Sequence, residues 1–167
     1  KIHEYNNRIE DAIAHYRQAI QLNPKNPYGH ISLAGAYFAI GNFEEGYPEY
    51  QWRLHTSNNK NMPKQWDGSD LKSKTIIILS ENGLGDIIQY VRFAQTIKEM
   101  GARVVVLTPK PLFNLLTLCP YIDEVVLPRT PIGQYDYITS MQSIPALTHL
   151  TLKKLPTKPY LFADKEL

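Results

Sequence analysis

The sequence predicts two parts, an α-helical repeat region over residues 1–54 and a Rossmann-like α/β domain with a parallel sheet over residues 74–167. The first observation is a similarity that recurs at a spacing of 34 residues in the first third of the chain, a period typical of paired helices. The second is an alternation, from Thr75 onward, of short apolar runs with segments of helical periodicity, which is typical of a parallel sheet. Residues 55–73 are polar and rich in turn-forming residues, so they are predicted to link the two parts.

The 34-residue repeat places a small residue and an aromatic residue at matching positions of two helices. Ala12 and Tyr16 in the first unit correspond to Gly46 and Tyr50 in the second. The small residues let neighbouring helices approach closely, and Pro24 cannot continue the helix that precedes it. The pattern resembles the tetratricopeptide repeat, in about one and a half copies. It predicts three helices, at residues 8–22, 27–40 and 43–54.

Pro48 departs from the repeat pattern and is expected to distort the third helix. The resemblance implies that the repeats bind protein or peptide partners. Each repeat shares its core with its neighbours, so this short array is expected to pack against the following part or against further repeats upstream. Because the chain begins at Lys1 inside a helical pattern, we expect it to be part of a longer protein.

The α/β part begins with the run Thr75–Leu79, which is short, apolar and β-branched, as expected of a strand covered on both faces. After it, apolar residues recur at helical spacing up to Gly101, which is expected to end that helix. The same two patterns predict further strands at 103–107, 124–127 and 137–139, and helices at 86–100, 111–118 and 143–150. With right-handed crossovers between parallel strands, the predicted strand order is 3-2-1-4.

The turn after the first strand is the leading candidate for a functional site, since open α/β sheets bind ligands at the carboxyl ends of their strands. A phosphate-binding P-loop is excluded, because Gly85 is followed by Asp86 rather than by lysine and a hydroxyl residue. A dinucleotide fingerprint is disfavoured, because Ile88 stands where a third small residue is needed and no acid follows the second strand. An acid at the start of a helix would also repel a pyrophosphate.

The segment Glu81–Gln89, preceded by Trp66–Ser69 and Leu71–Lys74, resembles the Gly-x-Gly-Asp-x-Ile-Gln turn of bacterial tetratricopeptide proteins that carry a glycosyltransferase-like domain. That domain is similar to the heptosyltransferase group of GT-B enzymes. The resemblance implies that this chain holds the repeats and the acceptor-side half of an inverting glycosyltransferase. The donor half, which binds the nucleotide-sugar, is expected in a missing C-terminal part, so the isolated chain is expected to be inactive. The resemblance implies no cofactor.

In the proteins that it resembles, the aspartate of this turn is proposed as the general base that takes a proton from the acceptor hydroxyl. Asp86 stands at that position. It is equally well explained as an acid that satisfies free amides at a helix N-terminus, and the two roles are compatible. Asn82 and Gln89 are candidates for binding the acceptor sugar. Gly83 and Gly85 are assigned to the same site, although turn dihedral angles explain the two glycines better than ligand contact does.

Composition and charge exclude several classes of function. A net charge of +2 without a concentrated basic run argues against nucleic-acid binding. No segment approaches the roughly 20 apolar residues of a membrane span, and no signal peptide is found, so the cytoplasm is the expected location. The single cysteine, Cys119, is expected to be buried and cannot form an internal disulfide. The histidines show no ligand spacing, so no metal site is predicted.

Two alternatives to a transferase fragment remain open. The first is a non-catalytic tetratricopeptide scaffold, in which protein binding is the function. The second is a Rossmann-like domain that binds a small molecule.

Overall fold

The computed structural model describes residues 2–56 and 64–164, with side chains from Arg8 onward. The described residues form two compact units. The helical unit comprises residues 2–56 and 148–154, and the α/β unit comprises residues 64–147 and 155–164. As the sequence predicts, a helical region comes first and a four-stranded, all-parallel sheet with helices follows it.

The helical unit is built from antiparallel helices joined by short connections. Its helices are α1 (Ile2–Leu22), α2 (Pro27–Ala39) and α3 (Phe43–Tyr50), followed by 3-10 helices at Gln51–His55 and Leu152–Lys154. Before α2, Asn26 Oδ1 accepts a hydrogen bond from the amide of Tyr28. Before α3, Asn42 Oδ1 accepts one from the amide of Glu45. The third helix is shorter than predicted, because α3 contains Pro48 and soon gives way to a 3-10 helix.

The core of the helical unit lies between α1 and α2, where Ile13, Leu33 and Tyr37 form a buried cluster. Half-buried apolar residues pack against this cluster: Ile9, Tyr16, Ile20 and Ala36. The helices α2 and α3 approach closely at Gly46, where an added Cβ would lie 2.5 Å from an edge atom of the Phe38 ring. The small residue at this repeat position therefore has the packing role that the sequence predicts.

His30 joins three segments of the helical unit. It is buried, its Nδ1 lies 2.6 Å from Glu49 Oε2 on α3, and its Nε2 lies 3.0 Å from the carbonyl oxygen of Pro24. Its ring also stacks on Trp52, with 3.8 Å between the ring centroids and 5° between the ring planes. Both nitrogens of this buried ring therefore have a hydrogen-bonding partner, as burial of a polar group requires.

The α/β unit is a parallel sheet with the strand order β3-β2-β1-β4, which confirms the predicted order. The strands are β1 (Thr75–Leu79), β2 (Arg103–Leu107), β3 (Glu124–Val126) and β4 (Tyr137–Ser140). The helices are α4 (Leu84–Tyr90), α5 (Ala94–Glu99), α6 (Lys110–Thr117) and α7 (Ile144–Leu147), with 3-10 helices at Val91–Phe93 and Met141–Ser143. At the centre of the sheet, Ile77 pairs with Val105 of β2 and with Ile138 of β4. Ile76, Ile77 and Ile78 are consecutive and all buried, as a strand covered on both faces requires.

Two helices of the α/β unit differ from their predicted extent. The helix predicted at residues 86–100 is divided into α4 and α5 by a 3-10 turn, in which Val91 and Phe93 stay buried. Gly101 has φ +85° and ends α5, as predicted. The helix predicted at residues 143–150 ends at Leu147, because His149 adopts a left-handed conformation with φ +47°.

Carboxylates close the amino-terminal edge of the sheet. Asp136 accepts a hydrogen bond from the amide of Thr75 at 2.9 Å, which is the main cause of a pKa below the usual value of an aspartate. Asp123 accepts one from the amide of Val104 at 2.7 Å and one from Lys98 Nζ at 2.7 Å. Partial burial raises the pKa of Asp123, but these hydrogen bonds outweigh it, so the pKa is lowered. Side chains thus satisfy the amide of the first residue of β1 and the amide of the second residue of β2.

Candidate functional site

The candidate site of the α/β unit lies at the topological switch point of the sheet, where the strand order reverses. β1 is central, with β2 and β3 on one side and β4 on the other. Open α/β sheets bind their ligands at such a switch point, outside the carboxyl ends of the strands. The turn after β1 carries the predicted site residues 82–86, and the turn after β4 is the 3-10 helix Met141–Ser143.

The backbone of the β1–α4 turn corrects the interpretation that its glycines are needed for their dihedral angles. Gly83 has φ −82° and ψ 166°, extended values that any residue adopts, and Gly85 has no positive φ. The left-handed residue is Asn82, with φ +60°, one of the few non-glycine types that tolerate this conformation. A Cβ added at Gly85 would meet nothing within 4 Å, and one at Gly83 would meet Asp86 Oδ2 at 3.6 Å. Gly85 therefore leaves open space beside the turn, whereas Gly83 lies close to the Asp86 carboxylate.

Asp86 is half-buried in the first turn of α4. Its Oδ2 accepts a hydrogen bond from the amide of Gly83 at 3.2 Å, which is the capping contact expected of a helix acid. Within the described part of the chain, no hydrogen bond reaches its Oδ1. Capping and proton transfer would use different oxygens, so one carboxylate can serve both.

Gln142, which the sequence does not single out, lies opposite Asn82. The Nδ2 atom of Asn82 donates a hydrogen bond to Gln142 Oε1 at 2.9 Å, across 60 residues of sequence. Gln142 is 2% exposed, whereas Asn82 is exposed. A single polar residue in a short 3-10 helix carries no sequence signal. The parallel pairing of β1 with β4 brings the two turns together.

The remaining predicted residue, Gln89, is exposed on α4, and its side chain makes no hydrogen bond within residues 2–56 and 64–164. Asn82 and Gly83 are adjacent in the chain, and the Gly83 amide bonds to Asp86, so these three residues form one connected group. Among the described residues, Gln89 has no such link to the group. Leu84 is 44% exposed between the two glycines. The turn thus offers an apolar side chain next to its polar groups.

Two hydroxyl groups at the same edge of the sheet are buried without partners. Ser80 follows β1 and Thr108 follows β2, and the amide of each bonds to the neighbouring strand. Their side-chain oxygens have no hydrogen-bond partner among the described residues. Leaving a buried hydroxyl unsatisfied costs about 1–3 kcal/mol. Because both oxygens are inaccessible to solvent, they are not part of the open surface of the β1–α4 turn.

A second candidate site is a groove of about 450 Å³ on the helical unit. One face of α1 and one face of α2 form it, with the lining residues Arg8, Ile9, Ala12, Tyr16, Ser32, Gly35 and Ala36. Gly35 is exposed, and an added Cβ would meet nothing within 4 Å. The mixture of apolar and polar side chains suits a peptide, which presents both kinds of group.

Metal ligands do not cluster in residues 2–56 and 64–164, where no group of three His, Cys, Asp or Glu side chains could hold an ion. Among these same residues, no helix is long and apolar enough to cross a bilayer. Cys119 is a buried free thiol, and burial raises its pKa. A raised pKa makes it a poor nucleophile, in agreement with the structural role expected of it.

Comparison with known proteins bears on the helical unit alone. Residues 5–41 match the family model of the TPR repeat, so a TPR repeat spans most of α1 and α2. No curated protein and no solved structure matches the chain. The resemblance of the segment Glu81–Gln89 to glycosyltransferase-like proteins stays a prediction.

Proposed function

We propose that the helical unit binds a peptide or protein segment in the groove between α1 and α2. The observation that carries this proposal is that every residue lining the groove falls within residues 5–41, the TPR repeat. Repeats of this kind present extended binding surfaces on their exposed helix faces. The core residues Ile13, Leu33 and Tyr37 are not part of the lining, so a bound segment can contact the groove without disturbing the core.

The substitution Gly35→Leu tests this proposal, because it places a side chain in the groove where open space now lies. Leucine also forms helices better than glycine, so the fold should be retained. A peptide is selected by display on the full chain, and its affinity is measured by calorimetry. We expect Gly35→Leu to weaken binding by about tenfold or more. Ala39→Leu, an exposed position on the same helix outside the groove, is the matched control. Equal affinity of Gly35→Leu and the original chain would contradict the proposal.

As a second function, we propose that the α/β unit is the acceptor-side half of an inverting glycosyltransferase. Its support is the resemblance of the segment Glu81–Gln89 together with the uncommitted Oδ1 atom of Asp86 in the turn after β1. In this proposal, Asp86 takes the proton of an acceptor hydroxyl, whose oxygen bonds to the anomeric carbon as the nucleotide diphosphate leaves. Asn82, Gly83, Gly85 and Gln89 surround the acceptor. A second half domain binds the nucleotide-sugar. The cytoplasm is the proposed location, since a single cysteine fits a reducing compartment.

The substitution Asp86→Asn tests the base assignment in the intact protein. Asparagine can still accept the hydrogen bond of the Gly83 amide, but it cannot take a proton, so transfer should be lost while the circular dichroism spectrum is kept. The isolated 167-residue chain should show neither sugar transfer nor nucleotide-sugar binding by calorimetry. Full activity of Asp86→Asn would leave only the capping role. Tight nucleotide-sugar binding by the isolated chain would contradict the half-domain assignment.

A further inference from the structure

We propose that Gln142 is a positioning residue for a polyhydroxyl acceptor, and that it acts by orienting the side chain of Asn82. This inference rests on the proposed transferase function and specifies its acceptor as a sugar. Asn82 Oδ1 accepts a hydrogen bond from one hydroxyl of the acceptor, while Asp86 Oδ1 receives the proton of the hydroxyl that reacts.

Gln142 is suited to this role because its own position is held firmly. The 3-10 helix Met141–Ser143 begins directly after β4, and all three of its residues are buried. β4 pairs with β1 in parallel register up to the pair Leu79 and Ser140. The buried 3-10 helix therefore holds the Oε1 atom of Gln142 in a fixed position facing the β1–α4 turn.

Asn82 has the opposite character, since it is exposed and left-handed, with φ +60°. The bond of its Nδ2 atom to Gln142 Oε1, at 2.9 Å, is the one hydrogen bond that the described residues give its side chain. This bond removes the rotational freedom of the exposed amide and gives Asn82 Oδ1 a defined direction. The next residue, Gly83, donates its amide to Asp86 Oδ2 at 3.2 Å. Through Asn82 and Gly83, Gln142 is thus linked to both atoms that would contact the acceptor, Asn82 Oδ1 and Asp86 Oδ1.

The uncommitted atoms of the turn identify the class of ligand. Asn82 Oδ1 is an amide oxygen and Asp86 Oδ1 a carboxyl oxygen, and both kinds of atom accept hydrogen bonds, so together they favour a ligand that donates them. A phosphate would bring negative charge and acceptor oxygens to a carboxylate, which disfavours it. The two accepting oxygens stand on neighbouring side chains of one turn, so they can receive hydrogen bonds from two hydroxyls of the same ligand. A sugar, which carries several hydroxyls, fits this arrangement better than the single hydroxyl of a serine or threonine side chain.

The test uses the intact protein with a panel of nucleotide-sugar donors and two kinds of acceptor probe, methyl glycosides of common hexoses and a serine-containing peptide. With the methyl glycosides, we expect Gln142→Ala to raise the acceptor KM by about tenfold with little change in kcat, as the loss of one oriented hydrogen bond implies. Gln142→Glu retains an oxygen that Asn82 Nδ2 can donate to, so it should restore most of the affinity. Ser143→Ala, a buried neighbour in the same 3-10 helix, should leave KM unchanged.

Asn82→Gly provides the second variant, because glycine keeps the left-handed backbone and removes only the amide. It should raise the acceptor KM as much as Gln142→Ala does, and the double variant should be no worse than either. If Gln142→Ala fails to fold, the exposed position Asn82 decides. An unchanged KM in Asn82→Gly overturns the inference and leaves the transferase proposal standing. Transfer to the peptide but not to the glycosides overturns the acceptor class. Absence of any transfer by the unsubstituted protein overturns the transferase proposal and this inference with it.

Discussion

Replacing His30 by phenylalanine separates the hydrogen bonds of the buried imidazole from its stacking. A phenylalanine ring can retain the stacking on Trp52, which has 3.8 Å between ring centroids. It loses the contact with Glu49 Oε2 at 2.6 Å and the contact with the Pro24 carbonyl oxygen at 3.0 Å. Both partners are oxygen atoms that accept hydrogen bonds, and a phenylalanine ring has no N–H group to donate to either of them. The substitution therefore removes the connection of α2 to α3 and to the α1–α2 turn while leaving the aromatic packing.

The magnitude follows from the burial of the pair. The His30 side chain is 9% exposed and the Glu49 side chain 28% exposed, so solvent screens the contact only in part. A hydrogen bond to a charged group contributes about 1.5–3 kcal/mol, and the bond to the Pro24 carbonyl adds about 1 kcal/mol. We expect His30→Phe to lower the free energy of unfolding by about 2–4 kcal/mol. Glu49→Gln should lower it by about 1–2 kcal/mol, with a coupling between the two substitutions of about 1–2 kcal/mol.

Urea unfolding of the full chain, followed by circular dichroism of the helices, measures these changes. His55→Phe is the matched control, since His55 also lies near Trp52, at 4.8 Å between centroids, but is exposed. It should change the free energy of unfolding by less than about 0.5 kcal/mol. A coupling between His30 and Glu49 below about 0.5 kcal/mol would refute the hydrogen-bond interpretation. Equal losses in His30→Phe and His55→Phe would attribute the effect to the surroundings of Trp52.

Two further predictions concern stability. Gly46→Ala should destabilise the helical unit by about 1–3 kcal/mol in thermal unfolding, because its Cβ would lie 2.5 Å from the Phe38 ring. Gly35→Ala, whose Cβ meets open space, should instead be neutral or stabilising by up to about 1 kcal/mol. Equal effects of the two substitutions would contradict the packing role of Gly46. Asp123→Asn should cost about 1 kcal/mol at neutral pH after allowance for solvent screening. Because the folded-state pKa of Asp123 is lowered, the stabilisation by its carboxylate is present above about pH 4 and is lost as the pH falls through the folded pKa. If the free energies of unfolding of Asp123→Asn and the unsubstituted chain still differ in acid, the ionised carboxylate is not the origin of the stabilisation.

The strands were predictable to the extent that burial imposes a continuous apolar run. The predicted bounds of β1 and β2 agree with the structure at both ends, because in each strand four consecutive apolar residues follow a polar first residue, and the three central residues are buried. β3 ends one residue earlier than predicted and β4 one residue later, since polar or proline residues follow both and weaken the pattern. The break between α4 and α5 was not predictable, because the 3-10 turn keeps Val91 and Phe93 buried and leaves the apolar pattern continuous.

The candidate site was predictable in its location but not in its geometry. A glycine-rich turn after a buried strand places Asp86 at the carboxyl edge of the sheet. The sequence suggested that Gly83 and Gly85 supply the unusual backbone conformation, yet the preceding residue, Asn82, adopts it. Asparagine tolerates positive φ through its short polar side chain, and that tolerance depends on local contacts. Gln142 was out of reach, because its partner is 60 residues away and only the sheet brings them together.

Both candidate sites combine an exposed layer with a buried layer that supports it, and this arrangement decides which substitutions report on function. In the groove, Gly35 is exposed while Tyr37, two residues further along α2, belongs to the core. At the switch point, Asn82 is exposed while Gln142 is buried. Changes in the exposed layer alter what a ligand meets, and the buried packing remains. Changes in the buried layer alter stability and ligand contact together, so each buried substitution needs its exposed partner before a loss of binding can be assigned to the site.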